Sequence, residues 1–199
     1  MTPKRVSQKT LRVDKAARVL RAGGVVVYPT DTAYALGCDA TDVAAVRRIF
    51  KIKGREKGKP LPMIVADMKM VKKYFRISNP ESRISKRYWP GPLSIILPVR
   101  GKMIAKSALY KGTAAVRVPD SVIARDLSRR VGAPLIATSA NVSGKPAAYS
   151  IKSLSLPRRG AGGEVFVIDA GVLRRRKPST IVKIERNKIV VLRKGPIRL

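Results

Sequence analysis

The spacing of apolar positions changes character along the chain, and each change marks an element. Leu11, Ala16, Ala17, Val19 and Leu20 recur at helical spacing over 10–22, and Gly23-Gly24 stops the pattern. The unbroken run "VVVY" (25–28) predicts a buried strand ending at Pro29. Helical spacing returns with Val43, Val46, Ile49 and Phe50, with Thr41 or Asp42 as N-cap and Gly54 as stop. "LPMIV" (61–65) is a short strand, and 67–75 and 79–89 read as helices capped by Asp67 and Asn79. "WPGP" (89–92) is a rigid turn into a strand over 93–99. A strand over 114–119 stops at Pro119, and 121–132 is an amphipathic helix between a Ser121 cap and a Gly132 stop. "PLIATSAN" (134–141) runs as a strand into a polar loop. After a Gly-, Pro- and Ser-rich middle, three strands close the chain at 165–169, 179–184 and 188–194.

Strands alternate with helices early and crowd together late. That order predicts an α/β fold, a mixed sheet flanked by helices, in a single domain over 1–199. Hydrophobic residues make up 45% of the 199, enough for a real core and unlike a disordered basic tail. No apolar run is long enough to span a membrane, and the N-terminus lacks the apolar stretch of a secretory signal. One cysteine, Cys38, excludes an internal disulfide framework and points to a reducing cytoplasm.

Charge changes the picture most. Lys and Arg number 43 against 12 Asp and Glu, a net of +31, which attracts polyanions. The bases are spread along the chain, so the field alone defines no site, and "RRRK" (174–177) reads as solvated surface. Aromatics at 5% give little support for a stacking platform. The chain has no histidine, which removes the commonest general base, the commonest zinc ligand and the Ser-His-Asp triad. An enzyme built this way works by positioning and electrostatics, with Mg2+ brought in by a substrate and no metal held by its own side chains.

Polar clusters fall at strand ends, where open α/β sheets place ligands. They are "PTDT" (29–32), Lys53-Gly54-Arg55 with Lys59, Arg117 inside "AVRVP", "TSAN" (138–141) with "SGKP" (143–146), and "PST" (178–180) with Arg193. Arg117 lies between Val116 and Val118, so it either faces solvent from an edge strand or is paired at a cavity. "TSAN" offers short donors suited to phosphate or ribose oxygens, although taken alone it reads as a common turn. Asp31 can cap a turn, accept from an amine or help hold a metal. Neither a Walker nor a Rossmann glycine pattern is present.

Taken in order, "YPTDTAYALGC" (28–38), "KIKGR…KPLP" (51–62), "RYWPGPLSIIL" (87–97), "AVRVPD" (115–120), "TSANVSG" (138–144), "PSTIV" (178–182) and "VLRKG" (191–195) resemble the YrdC-type threonylcarbamoyl-adenylate synthases. The resemblance runs from about Gly23 to Gly195 and includes the family's K-x-R and S-x-N signature as Lys53-x-Arg55 and Ser139-x-Asn141. It implies a YrdC/RibB-like twisted sheet with a basic concave face, in the single-domain form. The implied activity joins L-threonine, bicarbonate or CO2, and ATP, with Mg2+, into threonylcarbamoyl-adenylate and pyrophosphate. A separate transferase complex then uses the product on tRNA. By the same resemblance, Lys53 and Arg55 are catalytic and, with Lys59, hold ATP phosphates. Ser139, Asn141 and Arg193 face the nucleotide, and Thr32, Arg117 and Ser179 face threonine. The chain departs from many members at Asp31, where they carry Glu, and at Glu56, where they carry Pro. The "PTD…YALGC" form is also similar to a YciO-type branch, which usually lacks the S-x-N element kept here. Two alternatives therefore stand beside the synthase: an RNA-binding maturation factor and a YciO-type paralogue.

Overall fold

Helix ends are set as the capping residues dictate. The computed structural model describes residues 8–55, 59–156 and 165–199. Helix α1 spans Gln8–Arg21 and strand β1 Val25–Pro29. Strand β2 is Tyr34–Gly37, and helix α2 is Val43–Lys53. Asp42 caps α2 by accepting from the amides of Ala44 and Ala45 at 2.8 and 2.9 Å. Gly54 ends it in the left-handed region at φ 57°, which a side chain would resist. Then follow β3 (Met63–Ile64), α3 (Met68–Tyr74), α4 (Asn79–Tyr88), β4 (Leu93–Pro98), β5 (Thr113–Arg117) and α5 (Val122–Val131). The cap of α4 is Ser78 and not Asn79, because Glu81 reaches back to accept from the Ser78 amide at 2.9 Å. The last strands are β6 (Leu135–Ile136), β7 (Thr138–Ser139), β8 (Val165–Val167), β9 (Thr180–Glu185) and β10 (Lys188–Arg193).

Two sheets replace the one expected from the pattern. The first runs β7-β2-β1-β8 and the second β10-β9-β4-β5-β3-β6. Both are mixed: β1 pairs antiparallel with β2 and parallel with β8, while β4 pairs antiparallel with β5 and parallel with β9. Strand β2 escaped the pattern because it is short and half of it is Ala35 and Gly37, residues with little strand preference. The segment 134–141, expected as a strand running into a polar loop, holds two short strands. β6 pairs with β3 in the second sheet, and two residues later β7 pairs with β2 in the first. At this crossing the chains touch closely. A Cβ on Gly37 would sit 2.1 Å from the Ile136 carbonyl oxygen, so only glycine fits.

The main core gathers residues of both sheets, among them Val27, Leu36, Ile95, Val116 and Val182, with Ile49 and Phe50 of α2. A second core packs α1 and α5 against β1 through Leu20, Leu127, Val26 and Tyr28. Strand β10 differs. It is an edge strand, and Ile189, Val190, Val191 and Leu192 are all exposed, by 37–56%. Among the described residues, no helix is long and apolar enough to cross a membrane.

Candidate active site

A cavity of about 990 Å3 opens between the two sheets. Its described lining carries the basic residues Arg55, Lys111, Arg117, Lys145, Arg176, Lys183 and Arg193, against Glu185 as the acid. Such an excess in a partly desolvated space favours anionic ligands. Met63, Ile96, Ala114 and Ile181 supply an apolar floor.

The β1–β2 loop forms one corner. Thr30 Oγ1 donates to the Ala33 carbonyl at 2.6 Å and accepts from the Thr32 and Ala33 amides at 3.2 Å each, which fixes the turn. The turn sets Asp31 and Thr32 against Arg117 at the end of β5. Arg117 Nη1 donates to Asp31 Oδ1 at 2.5 Å, and Nη2 donates to Thr32 Oγ1 at 3.1 Å. The two side chains of the ion pair are 8% and 1% exposed. The pattern left Arg117 open between solvent and cavity, and it is the paired, inward group. Asp31 Oδ2 is buried with no hydrogen-bond partner.

A second corner comes from β4, β9 and β10. Arg193 donates from Nε to the Ser179 carbonyl at 2.9 Å and from Nη2 to Ser179 Oγ at 3.0 Å. Ser94 Oγ lies 2.9 Å from the same hydroxyl. Burial, and then the charge of Arg117, lower the Arg193 pKa. Gly195 makes this corner possible. A Cβ there would meet the Pro178 carbonyl oxygen and the Thr180 amide at 2.4 Å each.

The third corner joins the end of α2 to the loop after β7. Lys53 is 2% exposed, and its ammonium donates to the Ser139 carbonyl at 2.6 Å, the Asn141 carbonyl at 2.7 Å and Asn141 Oδ1 at 3.1 Å. Burial, and secondarily the Arg55 guanidinium, pull its pKa down to about 8. Arg55 Nη2 donates to the Pro60 carbonyl at 3.1 Å, while its Nε is buried and has no partner among the described residues. Burial lowers the Arg55 pKa as well.

Thr32, Arg55, Arg117, Ser139, Asn141, Ser179 and Arg193 therefore line one cavity. Lys53 does not: expected as a phosphate finger, it lies behind the wall with its three donors engaged by protein acceptors. Lys59 is exposed and stands outside the lining, next to Pro60, which belongs to it. Glu56 and Lys57, the remaining charges of that turn, lie outside the described residues. The sequence reading missed Ser94, although a lone hydroxyl in "LSIIL" carries the same signal as Arg117 in "AVRVP". "RRRK" is exposed throughout, as expected, and Arg176 of this run also borders the cavity. Among the described residues no group of acids, cysteines or histidines could hold a metal ion.

Mixed α/β sheets enclosing a cavity walled by arginine, serine and threonine define a protein of the class that binds small anionic substrates. A family model described as telomere recombination, Sua5/YciO/YrdC, matches residues 18–195, and the chain belongs to that family. The threonylcarbamoyl-AMP synthase of Thiobacillus denitrificans is 36% identical over 172 residues, covering 86% of this chain and 90% of the relative. The structure of Pyrococcus abyssi Sua5 complexed with L-threonine is similar with a TM-score of 0.82 at 34% identity. It covers 96% of this chain, which spans only 56% of that longer protein. The structure of E. coli YciO is similar with a TM-score of 0.79 at 30% identity, covering 96% of this chain and 92% of that one.

Proposed function

We propose that this chain is an L-threonylcarbamoyladenylate synthase. It joins L-threonine, bicarbonate or CO2, and ATP into threonylcarbamoyl-AMP and pyrophosphate. The observation that carries this reading is the paired arginine corner: Arg117 beside Thr32, and Arg193 on Ser179, in one cavity that also holds Arg55. The relatives' names point the same way.

In this reading the threonine carboxylate is received by Arg117 between the hydroxyls of Thr32 and Ser179. Asp31, sealed behind Arg117 and outside the cavity lining, holds that guanidinium in place. The substrate ammonium gives up a proton, and the free amine combines with bicarbonate to give the carbamate with loss of water. A carbamate oxygen then attacks the α-phosphorus of ATP, and pyrophosphate leaves. Charge grows on phosphate oxygens in that step, and the fixed donors of Arg55 and Arg193 stabilise it without reorganising. Ser139 and Asn141 border the nucleotide. Among the described residues no group of acids could hold a metal ion, and in this reading Mg2+ would come with ATP, held by the phosphates. The product is a mixed anhydride, consumed in the cytoplasm by a transferase complex acting on tRNA.

The likeness to E. coli YciO makes a paralogue with another substrate the second reading to test. Incubation with ATP, bicarbonate and each of several amino acids separates the two. The synthase gives pyrophosphate and a carbamoyl-adenylate with threonine and not with serine, valine or alanine. Release without amino-acid preference assigns the paralogue. RNA binding that falls steeply with salt, with no threonine-dependent turnover, assigns an RNA factor.

A further inference from the structure

We infer that Lys53 is a positioning residue, which acts through the Ser139–Asn141 loop and does not itself touch the nucleotide. The inference rests on the synthase reading of the site.

An ammonium has three N–H donors and no acceptor. Those of Lys53 go to the Ser139 carbonyl, the Asn141 carbonyl and Asn141 Oδ1. The Lys53 carbonyl in turn accepts from the Ser143 amide at 3.0 Å. One residue therefore ties the end of α2 to the loop after β7 by four hydrogen bonds. The loop side is closed too. Asn141 Oδ1 also accepts from Ser139 Oγ at 2.5 Å, and its Nδ2 donates to the Lys145 carbonyl. Three of the four signature residues form one knot, and the fourth, Arg55, keeps a buried Nε without a partner among the described residues. For Lys53 to reach a phosphate it would have to strand buried acceptors, an arrangement proteins avoid. Arg55 needs no such change. The knot holds Ser139 and Asn141 in register with Arg55, two residues beyond Lys53. Its loss misplaces two cavity walls relative to each other, whereas loss of Arg55 removes a ligand contact.

Steady-state kinetics and amide hydrogen exchange on the full chain test this. Lys53→Met is expected to lower kcat about 100-fold, the scale of a misplacement near 1 Å, with KM for ATP moving less than about threefold. Arg55→Ala is expected to raise KM for ATP by about tenfold or more. Without ligand, amides of 139–145 should exchange at least about tenfold faster in Lys53→Met and unchanged in Arg55→Ala. In Lys53→Met, a rise in KM for ATP with loop protection intact overturns the inference. A wild-type chain without synthase activity overturns the functional reading instead, and the exchange arm still decides the knot. If Lys53→Met does not fold, Asn141→Ala removes the side-chain acceptor of Lys53 and must accelerate exchange of the same amides without ligand; unchanged exchange sinks the inference.

Discussion

Arg117 and Asp31 are each costly to bury, and each is tolerable only because of the other. The pair is nearly sealed from water, so removing one partner leaves a charge with no compensation. Arg117→Ala is expected to destabilise the fold by about 3–5 kcal/mol in chemical denaturation, with the loss largely recovered in an Arg117→Leu/Asp31→Leu double variant. Lys53 gives a second residue-level signature, in pH. Its folded pKa is about 8, below the ordinary 10.5, so between those values the unfolded chain binds the extra proton. Stability contributed at this site should therefore rise as pH climbs from about 8 to about 10.5, and Lys53→Met should abolish that rise. The difference between the two denaturation midpoints across that range isolates the residue from other titrations. At this scale the sequence revealed residue types better than their jobs. A charged residue in an apolar strand marked Arg117. Nothing in "KIKGR" distinguishes a lysine that faces a phosphate from one whose ammonium is taken by carbonyls 86 and 88 positions away.

Elements with local signals were legible, and elements made by long-range pairing were not. Asp42, Asp67 and Ser121 cap the helices their sequences announce, because a cap needs only the next three amides. The division into two sheets rests on the β6–β7 crossing, where two-residue strands pair with partners far off in sequence, and so it left no periodic trace. Gly195 belongs to this scale as well. It lets the segment after β10 pass against Ser179, with neighbouring atoms nearer than a Cβ tolerates. Gly195→Ala should push the Pro178–Thr180 segment and its hydroxyl away from Arg193. The expected result is a KM for threonine raised about tenfold, with a smaller change in KM for ATP, since misplacement of a binding group is felt at its own ligand first. An equal rise in both constants would place the disturbance in the sheet and not in the corner.

The molecule as a whole carries a charge of +31 together with an edge strand whose four central residues, Ile189–Leu192, are apolar and exposed. An open strand of this kind is a template for pairing with another chain. At low ionic strength, mutual repulsion between two such cations keeps the edges apart. At about 1 M salt the screening length falls to about 3 Å, and that protection fails. Light scattering should then report reversible association in about 1 M NaCl, with none at low salt, and Ile189→Lys should prevent it by the device natural edge strands use. If repulsion guards the open edge in this way, a variant neutralised for easier handling should precipitate before it unfolds.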